Sequence, residues 1–354
     1  MRTLGDLLHL GDVDALVREV DDRCAREDHA GVKEVLEGCR EATLETGRQL
    51  WGPAQYAAYR LALEAPAPLA AEVVEPGAAR FALGPLTEVV AQRHTFGELA
   101  PFLDGPVRAP VAQERILRGE DLSTDPRADL DDVGLPGRLQ PWEPDYPVPS
   151  YRPTERLEPG PPPPDAPFRE VEVDAGRPRA LPALAAALSD LVAPWQEHSE
   201  GAVEVATVAG GPAQAVAALV GGTCRMARLT LPEVMAQLAW AGASGGAYGR
   251  RRGGAAGRAG AWWVAHAAGG LGFPAEPDEL EYHLEELDWF LFEDGAEGAT
   301  EGEDAGRGPG DGGDGDGAAY RAGARTGWDL RVVVAGPGWA AALDAHDRRD
   351  PGAG

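Results

Sequence analysis

The feature that most constrains the fold of this chain is a proline-rich segment near its middle. Twelve of the 32 residues from 136 to 167 are proline, including the run 161–164. Because proline lacks an amide donor and fixes its own φ, such a segment can form neither a helix nor a central strand. The sequence therefore predicts a proline-rich linker over residues 131–167, either a plain spacer or a proline-motif ligand.

The chain before this linker has the pattern of helices. Apolar residues recur at helical spacing, as in Val32, Val35, Leu36 and Cys39, and glycine or proline separates the segments. Shorter helical patterns follow at 57–64, 85–92 and 111–117. We predict a helical domain over residues 1–130. Helical repeats remain an open alternative, because no fixed period is visible.

The chain after the linker mixes strand and helix patterns. Strand patterns fall at 168–173, 203–208, 224–229 and 328–334, and a helical pattern falls at 181–192. We predict a mixed α/β domain over residues 168–348, so that the fold class is α+β.

An acidic, glycine-rich tract at 299–317 interrupts this domain and predicts a disordered insertion. Its aspartates suggest calcium, but an EF-hand needs a glutamate at position twelve. Ala322 stands there if Asp311 opens the loop. Calcium is therefore disfavoured.

Composition excludes several classes of function. A formal charge of −26 disfavours nucleic acid and anionic membranes, and no apolar run is long enough to span a bilayer. Lys33 is the one lysine, so a P-loop and a Schiff base have no residue to use. The three cysteines form no metal or disulfide pattern, and no export signal begins the chain. We predict a cytoplasmic protein without a metal or other cofactor.

The stretch 242–263, GASGGAYGRRRGGAAGRAGAWW, contains a Gly-x-Ser-x-Gly pattern around Ser244. A nucleophile elbow requires a strand to enter this turn. Upstream, Thr230 and Glu233 form a capping-box pattern, and apolar residues continue at helical spacing up to a glycine stop at Gly242. The sequence therefore predicts a helix entering the turn, and no catalytic residue is assigned.

The glycines of this stretch lack the spacing of a dinucleotide fingerprint. Small residues recur every four positions at Gly249, Gly253, Gly257, Ala261 and Ala265. If the stretch is helical, these residues share one face and allow another backbone to pack closely.

The same stretch holds the densest positive charge in the chain. The predicted anion- or partner-binding site comprises Arg250, Arg251, Arg252, Arg258 and Trp262. The segment 276–304 carries thirteen acidic residues and no Lys or Arg, and its first part is predicted to be helical. Pairing of the arginines with this acidic segment is the simpler interpretation. Binding of an external anion, nucleotide or acidic partner is the alternative.

A possible metal set lies within the acidic segment. Glu279, His283 and Glu286 would fall along one side of its helix. A solvated helix face with one histidine between two carboxylates is the favoured interpretation, because such spacing is common.

Residues 230–263 and 327–347 together resemble an actinobacterial family of uncharacterised proteins. Shared features are a small-residue and arginine turn between two helices, then a strand beginning with Trp-Asp, here Trp328 and Asp329. The resemblance is strongest over residues 230–347 and implies a bacterial, cytoplasmic protein. It implies no activity.

Two functional hypotheses follow. The favoured one is a non-catalytic binding or interaction protein whose N-terminal helices offer a surface to a protein partner. The alternative is an enzyme or sensor that binds a small phosphorylated molecule or nucleotide at the arginines 250–258.

Overall fold

The chain divides into two compact units. The computed structural model describes residues 2–75, 82–130, 133–172, 174–220, 223–294 and 327–348. The first unit comprises Met1–Pro161, Gly242–Ser244 and Arg250–Ala259, and the second comprises Pro162–Ala241, Gly245–Gly249 and Gly260–Gly354. The first is mainly helical and the second combines helices with an antiparallel sheet, which confirms the α+β class. The predicted insertion at 299–317 and its calcium alternative lie outside the described residues.

The first unit is built from short helices, as the apolar spacing predicts. Local capping explains several of their starts: the Thr3 hydroxyl accepts from the amide of Asp6, and Thr95 and Glu98 form a reciprocal capping box. The helices are α1 (Leu4–Leu10), α2 (Val13–Cys24), α3 (His29–Thr46), α4 (Trp51–Glu64), α5 (Ala67–Glu72), α6 (Leu86–Arg93), α7 (Phe96–Leu99) and α8 (Gly105–Ile116). A 3-10 turn (Pro126–Ala128) follows.

The proline-rich residues up to 161 pack within the first unit. Trp142, Tyr146 and Tyr151 are all buried, and β1 (Ser150–Tyr151) pairs with β2 (Arg156–Leu157). A segment poor in amide donors needs side-chain partners for its backbone, and the helices supply them. Gln92 accepts from the Tyr151 amide at 2.6 Å and donates to the Tyr151 carbonyl at 3.0 Å. This part of the segment is therefore a packed strap rather than a bare spacer.

The second unit is organised around a seven-stranded sheet whose order is β3-β6-β7-β8-β9-β5-β4, with every described pair antiparallel. Its strands are β3 (Arg169–Glu172), β4 (Arg177–Pro178), β5 (Ala202–Ala209), β6 (Thr223–Leu229), β7 (Asp288–Asp294), β8 (Gly327–Gly336) and β9 (Trp339–Arg348). The sequence predicts β3, β5, β6 and β8. The sequence does not predict the strands β4, β7 and β9.

The described residues of the second half of the chain also form five helices. They are α9 (Pro182–Glu197), α10 (Pro212–Ala217), α11 (Leu231–Ala243), α12 (Gly254–Gly269) and α13 (Pro277–Glu285). Helices α9 and α10 pack on β5 and β9, where Val208, Ala215 and Ala340 belong to the buried core. The helix predicted at the start of the acidic segment is α13.

Candidate functional site

A helix enters the glycine-rich turn. The Thr230 hydroxyl and amide both donate to the Glu233 carboxylate at 2.7 and 2.6 Å, and this box starts α11. The helix extends to Ala243, one residue beyond the predicted glycine stop. Ser244 follows it and is only 3% exposed. The structure therefore lacks the strand entry that a serine nucleophile elbow requires at this position.

The regular strip of small residues does not lie on one helix. Gly249 and Gly253 precede α12, which begins at Gly254, so the prediction of a continuous strip is wrong for these two positions. Gly257, Ala261 and Ala265 do lie within α12 at four-residue spacing. Gly253, which directly precedes the helix, has a separate role that is described below.

Arg251 is a buried member of the first unit. Its Nε and Nη2 donate to the two carboxylate oxygens of Glu88, each at 2.8 Å, and its Nη1 donates to Glu158. The side chains of Arg251 and Glu88 are only 4% and 0% exposed. This is the fork-to-fork geometry in which a guanidinium binds a carboxylate most specifically.

The start of α12 is bound by two buried carboxylates. Glu88 accepts from the Gly254 amide at 3.1 Å, and Glu114 accepts from the Ala255 amide at 2.8 Å. The first amides of a helix have no partner within the helix and carry its positive dipole end. The site therefore resembles an anion-binding helix terminus whose anions are the protein's own glutamates.

The two carboxyls have opposite pKa shifts. Burial acts to raise the pKa of Glu88, but the charge and hydrogen bonds of Arg251 outweigh it, so the pKa of Glu88 is lowered. Burial raises the pKa of Glu114 to about 7, and the negative charge of Glu88 adds to this rise. These environments keep the Glu88 carboxyl charged, whereas the Glu114 carboxyl titrates near neutral pH.

Arg258, in the first turns of α12, binds a second carboxylate in the first unit. Its Nε and Nη2 donate to the two oxygens of Glu143 at 2.8 and 2.7 Å, and both side chains are 0% exposed. Its remaining donors contact the Gln113 side chain at 2.7 Å and the carbonyls of Pro136 and Arg138 at 3.1 and 3.0 Å. All five N–H groups of this guanidinium are used.

The other residues of the predicted cluster lie elsewhere. Arg250 and Arg252 are exposed, and Arg252 donates from its amide to the Ala243 carbonyl at 2.7 Å and from Nη1 to that of Gly242 at 3.3 Å. Trp262 is completely buried in the second unit. Thus the structure distributes the five predicted residues over two buried ion pairs, an exposed loop and an apolar core.

The carboxylates that bind Arg251 and Arg258 come from the helical unit rather than from segment 276–304. No sequence pattern marks Glu88 or Glu143 as a buried, paired carboxylate. The helix α6 is buried on nearly every face, so Glu88 does not interrupt an apolar stripe, and Glu143 lies in an irregular segment. Glu114, in contrast, is marked by such a pattern. It follows Val107 and Val111 at the i, i+4, i+7 spacing of a buried helix face, where a charged residue requires a partner.

Two features are absent from the part of the chain that the structure describes. No group of three or more His, Cys, Asp or Glu side chains in that part of the chain is placed to hold a metal ion. None of the described helices has the length and apolarity needed to cross a membrane.

Gly253 permits the close approach of Glu114 to α12. It has a φ of +104°, and an added Cβ would lie 2.9 Å from Glu114 Oε1 and 3.2 Å from Pro85 Cγ. We expect Gly253→Ala to lower the unfolding free energy by about 1–3 kcal/mol, because it combines an unfavourable φ with a steric clash. Chemical denaturation measures this loss.

The matched control for that substitution is Gly52→Ala. Gly52 lies in α4, and a Cβ there would meet nothing within 4 Å. Alanine should stabilise the helix by up to about 1 kcal/mol. Equal effects of the two substitutions would show that the approach of Glu114 to the α12 start needs no glycine.

The fold and this site define an α+β protein whose most prominent charged residues form an internal arginine–glutamate network in a helical unit. A model of a family of unknown function, DUF6183, matches residues 14–297, and the chain belongs to that family. The match includes most of the helical unit as well as the arginine-bearing turn. Comparisons with curated proteins and with solved structures give no match.

Proposed function

We propose that this chain is a non-catalytic interaction protein in which the arginine-bearing segment 250–259 is an internal clasp of the helical unit. The observation that carries the proposal is the pairing of two buried guanidinium groups with glutamates of the same unit. Arg251 binds Glu88 and Glu158, and Arg258 uses all five donors on Glu143, Gln113 and two carbonyls.

The energetics of these pairs oppose an external anion at the same arginines. A phosphate that displaced Glu88 from Arg251 would leave a buried carboxylate without its cation. Removing one partner of a buried pair costs about 3–5 kcal/mol. That cost lowers affinity by roughly two to four orders of magnitude. The alternative, a phosphate- or nucleotide-binding enzyme or sensor, would depend on the exposed Arg250 and Arg252.

The surface that we assign to a protein partner lies on the first helices. Four of the nine large apolar side chains that remain exposed among the described residues are Leu10, Val13, Leu44 and Trp51. Leu10 and Val13 lie on either side of the turn between α1 and α2, and Leu44 and Trp51 lie on either side of the α3–α4 loop. From this loop Arg48 Nη1 donates to the Leu8 carbonyl of α1 at 3.2 Å. We call these four residues the α1–α4 surface.

The charge around the α1–α4 surface favours a basic partner. Residues 2–50 contain twelve acidic residues and seven Arg or Lys, a balance of −5. Exposed carboxylates at Asp14, Glu41 and Glu45 lie one to three positions from the apolar side chains. A second copy of this acidic chain would repel them, whereas a basic amphipathic segment of another protein matches both the apolar centre and the acidic rim.

The test compares two synthetic helical peptides that share one leucine pattern but carry either lysine or glutamate at the polar positions. Fluorescence anisotropy should show binding of the lysine peptide only. Leu44→Ser and Trp51→Ala should each weaken it about tenfold, since each removes most of an exposed apolar side chain that the bound peptide would cover. Tyr282→Ser is the matched control, because Tyr282 is 63% exposed in the second unit.

Two results would contradict the proposal. One is lysine-peptide binding that the Leu44 and Trp51 substitutions leave unchanged. The other is a thermal-shift screen in which a nucleotide or sugar phosphate stabilises the protein and Arg250→Ala or Arg252→Ala abolishes the shift, which would establish the alternative. The proposal predicts no such shift.

A further inference from the structure

The second unit contains a cleft of about 410 Å³. Its walls are the first turn of α9, the last turn of α12, the end of α13 and the β8–β9 turn. This volume is within the range of small-molecule sites in proteins. The β8–β9 turn is held in place because the Gly338 carbonyl accepts from Arg179 Nη1 at 2.9 Å and from the Gly210 amide at 3.3 Å.

The chemistry of the lining is apolar with a negative side. Leu181, Leu287, Pro337 and Trp339 supply apolar and aromatic surface, and the exposed Glu286 is the acidic residue of the lining. The lining also includes His283, and it contains no Lys or Arg among the described residues.

Helix dipoles contribute with opposite signs. The last turn of the 16-residue helix α12 presents its negative end, whereas the first turn of α9 presents a positive end. Pro182 occupies that first turn and has no amide hydrogen, which reduces the donors available to an anion. The guanidinium of Arg179 is bound to the Gly338 carbonyl and is not part of the lining. The full charge of Glu286 exceeds the partial charge of either helix end, so the lining favours a cation.

We propose that this cleft binds a small organic cation, an amine that carries a compact aromatic or branched apolar body. The ammonium group pairs with Glu286, and the apolar body lies against Trp339 and the leucine side chains. Cation–π attraction to the indole and a charge-assisted hydrogen bond to the carboxylate both act on the same ligand charge. The site is independent of the α1–α4 surface, since its residues all belong to the second unit.

The first experiment is isothermal titration calorimetry of the whole chain with phenethylamine and with 3-phenylpropionate. The two probes share an aromatic body and differ in the sign of their charge. Phenethylamine should bind and 3-phenylpropionate should not. Equal binding of the two probes, or no heat from phenethylamine at millimolar concentration, overturns the proposal.

The second experiment locates the cation. Glu286→Gln should weaken phenethylamine binding about tenfold or more, because the ligand loses its counter-charge. Glu285→Gln is the matched control: Glu285 is the neighbouring exposed residue and does not line the cleft. Equal weakening by both substitutions would mean that the net negative charge of the protein attracts the amine without a site, which overturns the proposal.

A third variant tests the cavity itself. Ala267→Leu adds bulk to the lining without changing charge, and it should reduce phenethylamine binding while the melting temperature stays near that of the parent chain. Unchanged affinity in a folded Ala267→Leu protein would place the amine elsewhere and overturn the assignment. Peptide binding at the α1–α4 surface should be unaffected by all three variants, so the two proposals can fail separately.

Discussion

Arg258→Ala should lower the unfolding free energy by about 3–5 kcal/mol, because it leaves the Glu143 carboxylate buried without its cation. The amide of Gln140 and the hydroxyl of Tyr146 still donate to Glu143, at 2.9 and 2.8 Å, but neither supplies charge. Thermal melting should fall by on the order of 10 °C. Denaturant titration gives the free energy directly.

A double-mutant cycle makes this prediction specific to the pair. Arg258→Met with Glu143→Gln should be less destabilised than Arg258→Met alone, because the second change removes the unpaired charge. Arg152→Ala is the control: its side chain is 64% exposed and pairs with Glu155. We expect the control to stay within about 0.5 kcal/mol of the parent chain. Additive effects of the two substitutions would mean that Glu143 and Arg258 are not energetically coupled.

Stability should fall as pH rises from about 5 to 8, and Glu114 should account for part of the loss. Its pKa is about 7 in the folded chain against an ordinary value of 4.5, so the folded state binds a proton more tightly than the unfolded state. The stabilisation from that proton is fully present below pH 4.5 and is lost as pH rises through 7. A difference of this size between the folded and the unfolded pKa corresponds to roughly 3 kcal/mol.

Other charged groups face Glu114 and shape this titration. Arg118 lies 3.2 Å from Glu114 Oε2, and Glu88 and Arg251 are neighbours in the same network. The pKa of Glu88 is lowered, so the stabilisation it provides is lost only at acidic pH, outside this window.

The measurement compares unfolding free energies from pH 5 to 8 for the parent chain and for Glu114→Gln, which is permanently neutral. The variant should lose less stability over this range than the parent chain. Glu155→Gln, an exposed carboxyl in the same unit, should follow the parent profile. Parallel profiles for the parent chain and Glu114→Gln would contradict a raised pKa at Glu114.

The elements that the sequence predicts well are those in which local pattern and tertiary environment agree. The box at Thr230 and Glu233 fixes the start of α11, and apolar spacing identifies α3 around Val32 and Val35. In contrast, β9 is rich in alanine, which favours helix when taken alone. It is a strand because β8 and β5 supply hydrogen-bonding partners on both sides, and pairing across the sheet outweighs local propensity.

The candidate site was predictable only in part. Four arginines in nine residues mark a charged feature, and their local density is visible without a structure. Their partners were not predictable, because Glu88 and Glu143 are 163 and 115 residues away from Arg251 and Arg258. The sequence therefore favours the acidic segment 276–304 as the counterpart of the arginines, whereas single buried glutamates form the actual pairs.

The helical unit is assembled from segments that lie far apart along the chain, and this affects the order in which it can fold during translation. Its contiguous portion ends at Pro161, yet Arg251, Gly254, Ala255 and Arg258 supply partners for Glu88, Glu114 and Glu143. During translation these glutamates emerge from the ribosome long before their partners, since almost ninety residues separate Pro161 from Arg251. Until that later segment is available, the buried glutamates of the N-terminal helices lack these partners. This unit therefore cannot finish folding in the order in which it is made.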